Sequence, residues 1–163
     1  MIVKIVIMLS IIIIALFLVM PFIWATIQIL TLKSADKLAV FGGYFIGFNI
    51  FGFSLFNALA YLVQTDYMNR FQGWPDSPAT IEIGLFFLSI ALTALVALFQ
   101  SNAFKSAICL IYAIYLLLSL INLLASGSNA HLPSNGLMAI YVTLMSIELI
   151  ILIVLFHLLS RKG

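Results

Sequence analysis

The chain has 163 residues, 65% of them hydrophobic and 7% charged, with a mean hydropathy of +1.28. These values exclude an ordinary water-soluble domain and point to lipid as the main solvent. The net charge of +2 rests on seven Lys and Arg against five Asp and Glu, so no basic patch for nucleic acid exists, and the single cysteine, Cys109, excludes an internal disulfide or a cysteine-based metal cluster.

About 20 apolar residues are needed to cross a bilayer core of about 30 Å as a helix, and that length divides the sequence into five segments. They are residues 5–30, 38–64, 81–100, 104–126 and 137–159. The fold class read from this is an all-α integral membrane protein, a single domain over residues 1–163 built as a bundle of five transmembrane helices. Fusing the third and fourth segments would make one helix of about 69 Å, over twice the hydrocarbon thickness.

The first segment follows Lys4 and resembles a secretory signal in outline, but its apolar run is longer and Phe22-Ile23-Trp24-Ala25 is a poor cleavage site. Charge placement sets the orientation. With the N-terminus outside and the C-terminus cytoplasmic, Lys33, Lys37, Lys105, Arg161 and Lys162 lie inside, against Lys4 and Arg70 outside. The expected location is the inner (plasma) membrane of a bacterium. Pro21 inside this helix removes one backbone hydrogen bond and is expected to bend the axis.

In the second segment Gly43 and Gly47 form a small-xxx-small pair whose face, at 100° per residue, continues through Ser54 and Ala58. Such a stripe is expected to let another helix backbone approach closely. Asn49, Ser54, Asn57 and Gln64 make the same helix unusually polar, and their hydrogen-bonding groups need partners in hydrocarbon. The connection at residues 65–80 holds Tyr67, Phe71, Trp74, Pro75 and Pro78 and reads as an ordered interfacial loop. Ser77 and Pro78 are expected to cap and open the third helix, with Glu82 favoured by the helix dipole in its early turns. The short connection at residues 101–103 predicts a tight antiparallel hairpin of the third and fourth helices, with Lys105 at the membrane edge.

Glu148 is a lone carboxyl near the middle of the fifth segment, roughly 16 Å along the helix from Leu137. At that depth a carboxyl is either neutral or held by hydrogen-bond donors. Asn49 and Tyr115 lie at the same computed depth in the second and fourth segments, so the three are expected to form a buried polar layer.

His131 and His157 fall on opposite sides of the membrane, and the acids of the outer face, Asp66, Asp76 and Glu82, show no ligand spacing, so no metal site is expected. No catalytic motif and no cofactor-binding motif is present. The leading expectation is a membrane protein acting through intramembrane contacts, as a subunit, accessory or immunity-type partner of a larger assembly. The alternative is a small oligomeric transporter or channel component with Glu148 as its proton or substrate site, and the third reading is a lipid-modifying enzyme. Partners follow from these readings: the lipid bilayer, and other membrane subunits or copies of the chain.

Overall fold

In a bilayer core no water is available to the backbone, so the apolar runs must satisfy their own N–H and C=O groups as helices. The computed structural model describes residues 2–32, 36–72, 78–125 and 135–162, and among these every regular element is helical. In chain order they are α1 (Ile2–Leu32), α2 (Lys37–Phe45), a π-helical segment (Ile46–Gly52), α3 (Phe53–Val63), α4 (Thr65–Gln72), α5 (Ala79–Leu98), α6 (Asn102–Ala125) and α7 (Asn135–Ser160).

Among the described residues four helical stretches are long and apolar enough to cross a membrane: the continuous run Lys37–Val63, and Ala79–Leu98, Asn102–Ala125 and Ala139–Ser160. α1 contributes a shorter apolar stretch, Ala15–Thr31. α1 runs through Pro21 as one helix, with the proline ring buried. The outer faces are apolar: Ile111, Ile114, Leu118 and Ile121 on α6, and Ile150, Ile153 and Val154 on α7, are each about half exposed. Water would not tolerate so continuous an apolar surface, whereas lipid requires it.

Hydroxyl groups along the helices are mostly closed off locally. Ser89, Thr93, Thr143 and Ser146 each donate to the carbonyl four residues back, at 2.7–2.8 Å. The Asn57 amide donates in the same way to Phe53 O, at 2.8 Å. These i to i−4 bonds let a polar side chain sit against lipid or an apolar neighbour without an orphaned donor.

Helix ends follow local chemistry. Asp36 caps α2, its carboxylate accepting from Ala39 N at 3.1 Å, and it also accepts from Lys162 Nζ at 2.8 Å, which ties the end of α7 to the start of α2. Pro78 stands at the N-cap of α5, one position earlier than the first helical turn expected for it, and Glu82 is in that helix's first turn. Ser77 lies outside the described residues. The stretch read as an interfacial loop contains the eight-residue helix α4, joined to α5 by a buried hydrogen bond from Thr80 Oγ1 to Asn69 Oδ1.

The turn between α5 and α6 is short and the two helices meet through Phe86 and Phe87 against Tyr115, but each packs more extensively on another element. α5 packs chiefly on α3 and the π segment, and α6 chiefly on α7. A glycine on α5 explains the preference: at Gly84 a β-carbon would lie 2.7 Å from Leu62 Cγ and 3.1 Å from Tyr61 Cβ, so α3 and α5 meet more closely than any larger residue allows. The main core gathers Phe45, Ile46, Ile50, Ile108, Tyr112 and Leu116 with Leu152 and Leu155 of α7.

Candidate functional site

Among the described residues, a polar centre is assembled from α3, α6 and α7, and the π segment adds a further buried polar side chain, Asn49. Glu148 is 4% exposed, Asn49 2%, and Ser54 and Tyr112 are fully enclosed. Four side-chain atoms there have no hydrogen-bond partner in the protein: Asn49 Nδ2, Ser54 Oγ, Tyr112 OH and Glu148 Oε1. Buried polar groups are paired in the great majority of cases, and each unpaired one costs on the order of 1–3 kcal/mol, so these four call for an explanation. The contrast with Ser89, Thr93, Thr143 and Ser146 is direct, since Ser54 has the same hydroxyl and does not spend it on its own helix.

Local structure positions each member. Asn49 lies within the π segment and Ser54 follows it by five residues, the i to i+5 spacing that stacks two residues on one face of such a turn. Ser54 approaches the Tyr112 hydroxyl from α3, although the pair does not complete a hydrogen bond of good geometry. Tyr112 in turn lies within electrostatic range of Glu148, as do Tyr115 and Tyr141. Tyr141 is two turns before Glu148 on α7, and Tyr115 is one turn after Tyr112 on α6, with the two rings 5.7 Å apart.

The three residues nominated from depth are therefore distributed as follows. Glu148 and Asn49 are both buried, Glu148 on α7 and Asn49 on the π segment. Tyr115 is half-buried; it packs edge-on to Phe87 at 5.5 Å and extends toward Ser119 as well as Glu148. Tyr112 and Tyr141 complete the centre and were not anticipated. Their signal was present in the sequence, since Tyr112 shares a face with Cys109 and Leu116, and Tyr141 shares one with Glu148.

The small-residue stripe divides into two. Ala58 is buried against Phe87 of α5, and Ser54 is buried beside Tyr112 of α6. At Gly43 a β-carbon would meet nothing within 4 Å, and at Gly47 only the tips of Leu98 at 3.8 Å, so no backbone approaches there. The reason is the intervening π segment. Its residues turn through fewer degrees each than an α-helix, so the face carrying Gly43 and Gly47 is rotated away from the one carrying Ser54 and Ala58. Gly43 and Gly47 instead floor a lateral groove of about 830 Å³. Asn57 is served by its own helix, as described above.

Chemically, the centre offers one carboxyl, three phenols, a hydroxyl and an amide. The one ion pair among the described residues is Lys162–Asp36, at the surface, so Glu148 has no cationic partner among them. Among the described residues no three of His, Cys, Asp and Glu converge. His157 is exposed in the last turn of α7, and His131 lies outside the described residues. What the arrangement can do is hold a proton on Glu148 and pass it among hydroxyl groups, or present oxygen atoms to a small polar guest.

Apolar helices around such a polar centre define a helical membrane protein. Residues 10–163, all but the first nine, match the profile of DUF6790, a family of unknown function, and the chain belongs to that family. No curated protein and no solved structure matches it.

Proposed function

We propose that the chain is a five-helix protein of the bacterial inner membrane, N-terminus outside and C-terminus cytoplasmic, that works as a small transport component with Glu148 as its proton-exchanging group. The observation that carries this reading is that a buried oxygen of Glu148 has no partner in the protein, while the nearby Tyr112 hydroxyl, and Ser54 beside it, are likewise unpartnered. A carboxyl serving only as glue between helices would use its oxygens on donors within the bundle, and the Tyr112, Tyr115 and Tyr141 phenols are near enough to supply them. Intramembrane carboxyls of this kind mark proton relays and substrate pathways. α1 supplies the fifth span, its 31 residues reaching about 46 Å. A chain of this size would enclose a pathway as a homo-oligomer or beside another membrane subunit.

The test is the variant Glu148→Gln in reconstituted liposomes carrying a pH gradient, paired with infrared spectroscopy of the purified protein. The expected result is a carboxyl carbonyl band that responds to pH and vanishes in Glu148→Gln, with proton-linked flux lost and thermal stability retained. If Glu148→Gln keeps full function, the carboxyl is a contact only, and the reading as a subunit or accessory partner of a larger assembly replaces this one. The topology has its own check. A cysteine introduced at Ser128 should react with an impermeant reagent from outside, and a C-terminal reporter should be cytoplasmic; labelling of Ser128 only after permeabilisation would reverse the orientation.

A further inference from the structure

The groove floored by Gly43 and Gly47 lies at the end of the bundle where α1 and α5 finish and α2 and α6 begin. From Ala39 to Phe51 its floor runs twelve residues, roughly 18 Å, against about 15 Å for the hydrocarbon of one leaflet. A groove of that length takes a chain entering from one membrane face and ending near the midplane. A partner helix would need a face continuing through the full thickness, and the burial of Ser54 beside Tyr112 and of Ala58 against Phe87 inside the bundle interrupts it.

The lining is sorted by chemistry along its length. The membrane-edge end holds Lys105 of α6 and Gln28 of α1, both half-buried, and the remainder is apolar apart from the hydroxyl of Tyr44, with the exposed ring of Phe99 at one lip. Lys105 is the only charged residue in the groove and has no acid partner among the described residues, because Asp36, the acid described at this end, is engaged by Lys162. Lys37 and Arg161 are exposed at the same end and extend the positive rim. An occupant therefore needs an anionic head at the membrane edge and an apolar tail about one leaflet long.

We infer that this groove is a binding site for an anionic phospholipid of the leaflet at that end, one acyl chain lying on Gly43 and Gly47 and the headgroup phosphate held by Lys105 and Gln28. The bare glycines give the chain a smooth floor, and Gln28 can donate to a phosphate oxygen beside the Lys105 ammonium. This assignment is independent of the role of Glu148.

The probes are phosphatidylglycerol and phosphatidylcholine with identical acyl chains, added to delipidated protein in mild detergent and followed by native mass spectrometry. The wild-type protein should retain phosphatidylglycerol in preference to phosphatidylcholine, and Lys105→Gln should weaken the former on the order of tenfold and the latter, whose choline offsets its phosphate, by clearly less. Gly43→Phe, which places a ring in open space, should lose both. Circular dichroism and melting confirm that each variant is folded, and Lys105→Gln alone decides the matter if Gly43→Phe is not. Equal retention of the two lipids, or no effect of Lys105→Gln, overturns the proposal. Displacement of lipid by inorganic phosphate at comparable concentration would reassign the site to a free anion, and a change of oligomeric mass in Gly43→Phe with lipid binding intact would reassign the groove to a protein helix. Either result also overturns it.

Discussion

Replacing Gly84 by alanine isolates the contact that holds α5 against α3. The added methyl would sit 2.7 Å from Leu62 Cγ, 2.8 Å from Leu62 Cδ2 and 3.1 Å from Tyr61 Cβ. A branch-point carbon and a β-carbon cannot swing aside as a side-chain tip can, so α3 or α5 must shift. Overpacking of this kind costs roughly 1–3 kcal/mol, offset by about 1 kcal/mol from alanine's better helix propensity. The expected net loss is about 1 kcal/mol, a fall in melting temperature of about 2–4 °C for a chain of this size. Gly43→Ala is the matched control, because nothing lies within 4 Å of the new methyl and only the propensity gain applies. Thermal unfolding in one detergent compares the two, and a cycle with Leu62→Ala adds the decisive number. Removing Leu62's branch point should relieve part of the Gly84→Ala penalty, giving a coupling of about 0.5 kcal/mol or more. If Gly84→Ala is as stable as the wild type, or the two changes simply add, the close approach is not what pairs these helices.

Two further predictions concern the ends of the bundle. Thr80→Val removes the hydroxyl that donates to Asn69 and leaves a buried amide oxygen unpaired, so a loss of about 1–3 kcal/mol is expected in thermal unfolding, with hydrogen exchange rising first in α4. The Lys162 ammonium, followed by the Ala39 N–H, holds the Asp36 carboxyl below its ordinary value of 3.8. A carboxyl lowered in the folded state contributes its tether above 3.8 and loses it as pH falls through the lower folded value. Spin labels at Lys37 and Ser160 should therefore show a narrow distance distribution at neutral pH that broadens in strong acid or high salt, and Lys162→Gln should already be broad at neutral pH. An unchanged distribution would show that the ion pair does not hold α7 to α2.

The helices were legible because lipid imposes a length and a composition that few other environments do. The apolar runs around Ala79–Leu98 and Asn102–Ala125 were located to within about two residues by counting alone. The burial of Glu148 was legible for the same reason, since a carboxyl amid Ile147, Leu149 and Ile150 has nowhere polar to go within its own segment. Two features were not. The helix α4 was hidden by the prolines and aromatics around it, although Asp66 in its first turn and the four-residue spacing of Tyr67 and Phe71 carried a weak signal. The π segment carried none, because no residue in Ile46–Gly52 demands an i to i+5 bond. Packing against α1 and α5 accompanies it, and that is tertiary information. The segment's effect is to set Ser54 beside Tyr112 rather than on one face with Gly43.

The π segment also changes how this protein tolerates insertion and deletion. A turn closed by i to i+5 bonds stores one residue more than an α turn between the same two ends. Loss of a single residue within Ile46–Gly52 would let the run revert to ordinary α-helix without breaking it, but it would rotate Lys37–Phe45 against Phe53–Val63. The groove and the carboxyl centre would then change their angular relation together, so one codon sets the bearing between a surface open to lipid and an interior closed to it.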